Sequence, residues 1–178
     1  MPNLFVLTGG PGSGKSTLAC ALQSSGLTTV EETGRAIIRE ELAGGGDALP
    51  WGDRARFAQR MLDREIENYE RMKDCARPVI FDRAIPDVLG YLRLCDLPVP
   101  NAADNAARGR RYNPPVFVAP HWPAIYAQDS ERKQDPDEAE RTYRMMRSVY
   151  AEYGYELAEL PLASVEERVA FVLARMNV

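Results

Sequence analysis

The sequence predicts an α/β fold, a three-layer αβα sandwich with a five-stranded parallel sheet, over residues 1–178 as one domain. Three observations predict it. Short apolar runs alternate with amphipathic segments along the whole chain. The first run, "NLFVLT", breaks into a glycine-rich turn and then into a helix-forming stretch. The ends of the first three runs carry that turn, Glu31-Glu32 and Asp82-Arg83. Polar chemistry therefore gathers at one carboxyl edge, where parallel sheets hold their ligands.

Each element follows in order. "NLFVLT" is short, apolar and ended by glycines, as a buried strand should be. Residues 14–25 form a helix with Leu18, Ala21 and Leu22 on one face. "TTVEE" is a second strand, and "GRAIIREELAGGG" is a helix closed by glycines. Residues 53–75 form a long helix with a stripe of Phe57, Met61, Ile66 and Tyr69. "PVIFDR" is the third strand and "PDVLGYLRLCDL" a helix. Residues 98–114, rich in Pro, Asn and Arg, read mainly as a connector, with room for a short helix, before "PVFVAP", the fourth strand. A charged loop then enters a helix with Asp135 as N-cap, Pro136 at N1, Glu138 at N3 and Gly154 as the stop. "YELAELP" is the fifth strand, and "SVEERVAFVLARM" a last helix capped by Ser164 with Glu167 at N3.

Composition excludes several classes. The net charge of −4 supplies no general basic field, so no nucleic-acid partner is expected. No stretch approaches the ~18 apolar residues of a membrane span, so no membrane partner is expected either. The N-terminus lacks a signal-sequence pattern. Cys20, Cys75 and Cys95 match no metal spacing; an odd count suggests a reducing cytoplasm, with the thiols as small core residues.

The motifs define a site. Gly9 to Ser16 spells G-x-x-x-x-G-K-S, the Walker A or P-loop pattern, between a strand and a helix. Gly10, Pro11, Gly12, Ser13, Gly14, Lys15, Ser16 and Thr17 are expected to cradle the phosphates of ATP on backbone N–H groups and a helix N-terminus. Lys15 reaches the β- and γ-phosphates, and Ser16 offers a hydroxyl to Mg²⁺. This motif does not choose between kinase, ATPase and GTPase. An N-K-x-D motif, which would mark a GTP switch, is missing from the sequence.

At the second strand end, Glu31 or Glu32 can accept a hydroxyl proton during phosphoryl transfer, and either also suits a helix dipole. Asp82 stands where a Walker B acid binds Mg²⁺, and it is a third candidate base. Glu31, Arg35 and Arg83 are candidates for contact with the acceptor; Asp87 reads as a helix cap. "DSERKQD", about residues 128–136, reads as a lid with Arg132 and Lys133. Arg132 and Arg141 are expected to neutralise developing charge, whereas Arg144 and Arg147 read as solvated. The patch of Arg108, Arg110 and Arg111 also reads as solvated. His121, Trp51 and Trp122 read as packing residues, Arg56 and Gln59 as guesses for an acceptor pocket. Leu160-Pro161 and Ser164-Val165 fall where such folds hold an adenine edge.

"FVLTGGPGSGKSTL", "VEETGR", "VIFDRAIPD", "VFVAPHWPAIYAQDSERKQ", "EAERTYRMMRSVYAEYGYELAELP" and "SVEERVAFVL" together resemble the AAA-domain-containing predicted ATPases of the P-loop NTPases. That group is similar to the ribosylnicotinamide kinase domain and, more distantly, to nucleoside and nucleotide kinases. The resemblance covers nearly the whole chain. It implies ATP binding through Gly14, Lys15, Ser16 and Thr17, a metal or base role for Asp82, and a lid role for Arg132. The third strand ends in Asp-Arg where some nucleoside kinases have Glu-Arg, so the base stays open among Glu31, Glu32 and Asp82. The expected function is transfer of the ATP γ-phosphate to a nucleoside-like or other small acceptor. The alternative is a regulatory ATPase or nucleotide switch acting on a protein partner.

Overall fold

The structure, a computed structural model, describes residues 3–125 and 136–176. The first half runs β1 (Leu4–Gly9), α1 (Lys15–Ser24), β2 (Thr28–Val30), α2 (Thr33–Gly44), α3 (Arg54–Met72) and β3 (Val79–Asp82). The second runs α4 (Ile85–Leu94), α5 (Asn101–Gly109), β4 (Pro115–Ala119), a 3-10 turn, α6 (Pro136–Glu152), β5 (Glu156–Glu159) and α7 (Val165–Met176). The sheet has five strands in the order β2-β3-β1-β4-β5, and every neighbouring pair is parallel.

Strand β1 is central and buried along its whole length. Its side chains alternate between two cores, as the strand period requires. Leu4 and Val6 join Phe81, Val116 and Val118 under α3, α4 and α6. Phe5 and Leu7 join Ile80 and Phe117 under α1 and α7. The register sets Leu7 beside Asp82 and Gly9 beside Ala119. The loops after β1, β2 and β3 therefore open at one edge.

Gly9 shows how tight that edge is. Its φ is +132°, and an added Cβ would lie 2.2 Å from the Ala119 carbonyl oxygen on β4. Backbone cannot yield as a side chain would. Gly9→Ala is expected to cost about 2 kcal/mol or more in urea denaturation, with the slope unchanged. Wild-type stability in that variant would overturn the assignment.

The caps follow the sequence. Ser164 and Glu167 bond reciprocally at 3.3 and 3.0 Å, and Gly154 takes φ +75° after α6. Asp135 lies outside the described residues. The connector at 98–114 includes a short helix, α5, as the sequence allows, and its small Ala103, Ala106 and Ala107 are buried next to α4. One reading is corrected: the cysteines are not buried core residues, since Cys20 is exposed and Cys75 and Cys95 are half-buried. The basic patch stays at the surface and off the cleft, each arginine with a local partner. Arg108 pairs with Asp104 at 2.9 Å, Arg110 with Glu70 at 2.9 Å, and Arg111 donates to the Tyr153 carbonyl at 2.8 Å.

Candidate functional site

The loop between β1 and α1 is closed on its own atoms. Gly12 and Gly14 take left-handed φ values of 70° and 81°, which glycine adopts without steric cost. The Ser13 hydroxyl donates to the Gly10 carbonyl at 2.8 Å, and Lys15 Nζ donates to the same oxygen at 2.7 Å. Lys15 is buried, at 5 % exposure. A cation and a row of backbone N–H groups thus share one concavity at a helix N-terminus, the arrangement that binds phosphate.

Arg168, on α7, buttresses this loop from outside. Its Nη1 donates to the Ser13 carbonyl and its Nε to the Pro161 carbonyl, each at 2.8 Å. Its guanidinium also lies 4.6 Å from the centre of the Trp122 ring. Trp122 is therefore a packing residue, as its sequence context suggests. Arg168 itself carried no sequence signal, because it sits 155 positions from its partner.

The ends of β2 and β3 supply charge. Glu32 lies 3.2 Å from Arg83 and 3.2 Å from Arg35. Burial alone would raise its pKa, but Arg83, Lys15 and Arg35 outweigh it and hold Glu32 below its ordinary value. Its neighbour Glu31 points away, 87 % exposed, and reaches Arg39 at 3.9 Å. Arg83 takes φ +71°, a left-handed conformation unusual for an arginine. That turn carries its guanidinium between Glu32 and Asp87, with Asp87 at 3.1 Å. Burial disfavours its charge, yet Glu32, Asp87 and Asp82 hold Arg83 above its ordinary pKa.

Asp82 is buried, and its Oδ1 has no hydrogen-bond partner. Burial, then the charge of Glu32, pushes its pKa up to about 6 against the pull of Lys15 and Arg83. Asp87 does cap α4, accepting from the Ala84 N–H at 3.0 Å. It also accepts from the hydroxyls of Thr8 and Tyr150, which tie β1 and α6 to the same carboxylate.

A cleft of about 340 Å³ opens beside the loop. Its wall combines the charged Lys15, Glu32, Arg83 and Asp87 with the apolar Trp51, Phe57, Met61 and Tyr91, and Arg35 and Arg54 also line it. The structure thus brings Lys15, Glu32, Arg35 and Arg83 together, with Asp82 buried next to Arg83 in the chain. It leaves out Glu31. It also leaves out Arg141, which is exposed, because α6 turns Glu138, Thr142 and Met146 to the cleft instead. Arg56 and Gln59 pair with Asp47 and Asp63 at 3.0 and 2.8 Å and do not line it. Arg144 pairs with Glu140 at 2.7 Å on the outside of α6. Arg132, Lys133 and, except for Pro136, the lid at 128–136 lie outside the described residues. The cleft also contains Arg54, Glu65 and Tyr91, which the sequence reading did not select. One signal was available for Glu65: it follows Phe57 and Met61 at four-residue spacing, on the same face of α3.

Among the described residues no group of three metal-ligating side chains occurs. A Mg²⁺ ion carried in with a nucleotide needs only one or two protein oxygens, the rest coming from phosphate and water. The unpartnered Asp82 Oδ1 and the Ser16 hydroxyl, at the start of α1, fit that requirement.

Residues 4–168 match the family model described as an AAA domain. The chain belongs to that family. No curated protein matches it. Among solved structures it resembles deoxyadenosine kinase from M. mycoides with dCMP and dCDP bound, at 13 % identity and a TM-score of 0.70, covering 98 % of both chains. It resembles the NadR protein in complex with NR at 18 % identity and a TM-score of 0.69, over 98 % of this chain and 52 % of that one. This family member therefore spans about half the length of NadR. It also resembles shikimate kinase from Acinetobacter baumannii in complex with shikimate, at 14 % identity and a TM-score of 0.55, covering 99 % and 93 %. These likenesses establish the fold as that of P-loop kinases.

Proposed function

We propose that the chain is an ATP-dependent small-molecule kinase, moving the γ-phosphoryl group to a hydroxyl of an acceptor in the cleft. One observation carries the reading: the phosphate-loop lysine, Lys15, and the carboxylate Glu32 line the same small cleft. A motor or a switch has no need of a base beside its phosphate site on the wall of a pocket for a small molecule. The resemblance to three kinase structures supports the same reading.

Residues 10–17 hold the triphosphate of ATP. Ser16 and Asp82 would hold Mg²⁺, which when bound neutralises phosphate charge. Lys15 adds a buried cation at the β- and γ-phosphates. The acceptor oxygen attacks the γ-phosphorus, the bond to the bridging oxygen breaks, and ADP leaves. The acceptor proton passes to Glu32, ionised under its three cations. Arg83 holds Glu32 in place and keeps charge balanced at the cleft wall.

The test is ADP release from Mg·ATP, alone and with pooled nucleosides, nucleotides, vitamins and sugars. One pool is expected to raise turnover, and Lys15→Ala to remove the gain by about 10²-fold or more. If ATP binds and no pool raises turnover, the kinase reading fails and a regulatory nucleotide switch replaces it.

A further inference from the structure

The wall of the cleft carries two polar groups that phosphoryl transfer does not use. Glu65 is 2 % exposed and lies in a stripe with Phe57 and Met61, all three lining the cleft. One side of its carboxyl meets the Thr33 hydroxyl, which also accepts from Asn68 Nδ2 at 3.4 Å. Its Oε2 is buried without a hydrogen-bond partner. Tyr91 stands edge-on to Phe57, ring centres 5.4 Å apart, and its buried hydroxyl meets only the Cys95 thiol, a weak hydrogen-bonding partner. Folded proteins leave few such atoms, because each gives up its hydration without a full replacement. Two on the wall of one cleft, among aromatic and thioether side chains, are what a bound ligand would satisfy.

We propose that Glu65 and Tyr91 recognise the acceptor itself, donating hydrogen bonds to an uncharged heteroaromatic ring that packs against Phe57. The proposal rests on the kinase reading for calling this cleft the acceptor site. Donation by Glu65 requires the acid form. Burial, then the charges of Asp87 on α4, Asp82 on β3 and Glu32 before α2, raises its pKa to about 8 against the Thr33 hydrogen bond. Tyr112, the other titratable group coupled to it, is itself held neutral by burial. At neutral pH both groups are donors, so the ring atoms they meet are acceptors without positive charge.

The experiment is calorimetric titration of the full chain with adenosine, guanosine, cytidine and uridine, with Glu65→Gln, Glu65→Leu and Tyr91→Phe beside wild type. At least one nucleoside is expected to bind. Glu65→Leu and Tyr91→Phe each weaken it by about tenfold or more, as a site built for hydrogen bonds loses them. Glu65→Gln, whose amide still donates, weakens it less. Wild-type affinity falls between pH 7 and 9, and that of Glu65→Gln does not. A packing role alone would not produce this pH difference. If Glu65→Leu fails to fold, the Gln and Phe variants still decide.

Failure of all four nucleosides to bind overturns the proposal. So does equal binding by the Tyr91→Phe and wild-type proteins, or tighter binding of a cationic ring as pH rises. Failures of the two readings are distinguishable. Turnover stimulated by a sugar alone keeps the kinase and sinks ring recognition. Nucleoside binding without any ATP turnover does the reverse.

Discussion

Glu32→Gln is expected to lower kcat for acceptor phosphorylation by about 10²–10⁴-fold, the usual range for a positioned general base. Glutamine keeps the size and the contact with Arg83 but cannot take a proton. The KM for ATP is expected to stay within about threefold, because Lys15 and the loop carry that binding. Glu31→Gln is the control: Glu31 is exposed and off the cleft, so its loss should not register. The pH profile separates the two remaining candidates. Glu32 is held below its ordinary 4.5, so as the base it stays active down to that range and fails only below it. Asp82 as the base would place the acid limb near 6. Steady-state kinetics with an unchanged kcat for Glu32→Gln would remove Glu32 from the mechanism.

Asp87→Ala is expected to have the largest effect on stability, a loss of about 3–5 kcal/mol. Four partners converge on this one buried carboxylate. It accepts from Thr8 at the end of β1, from the Ala84 N–H at the start of α4, and from Tyr150 on α6, and it pairs with Arg83. Alanine leaves two hydroxyls and an N–H without these partners and takes one of three balancing carboxylates from the half-buried Arg83 guanidinium. Tyr150→Phe removes one of these bonds together with its donor and should cost only about 1 kcal/mol. Urea denaturation of both variants measures the contrast. A loss of less than about 1 kcal/mol for Asp87→Ala would show that the network is dispensable.

Much of this molecule was legible because local rules agree with the fold. The glycine turn after "NLFVLT" needs only its own residues to form, and alternating apolar runs prescribe the sheet. Helix α5 was only faintly legible because its buried face is made of Ala103, Ala106 and Ala107, which give weak periodicity among polar neighbours. Glu31 and Glu32 are adjacent in sequence and chemically identical. The turn into α2 sends one to solvent and the other to Arg83, a partner 51 positions away. Asp87 was legible as a cap, since Ala84 is three residues away, but not as a hub, since Thr8 and Tyr150 are 79 and 63 positions away. Glu65 was passed over because a helix that lines a cleft departs from the hydrophobic pattern of one that packs against a core.

Arg83 has the side chain the site needs on a backbone conformation that arginine disfavours, at roughly 1–2 kcal/mol. The carboxylates around it outweigh that cost: glycine would relax the backbone and leave Glu32, Asp82 and Asp87 crowded together without their guanidinium. A library screened only for survival after heating should therefore keep the arginine, even with phosphoryl transfer unselected. The strained turn outlives the chemistry because the charges it serves also hold the fold.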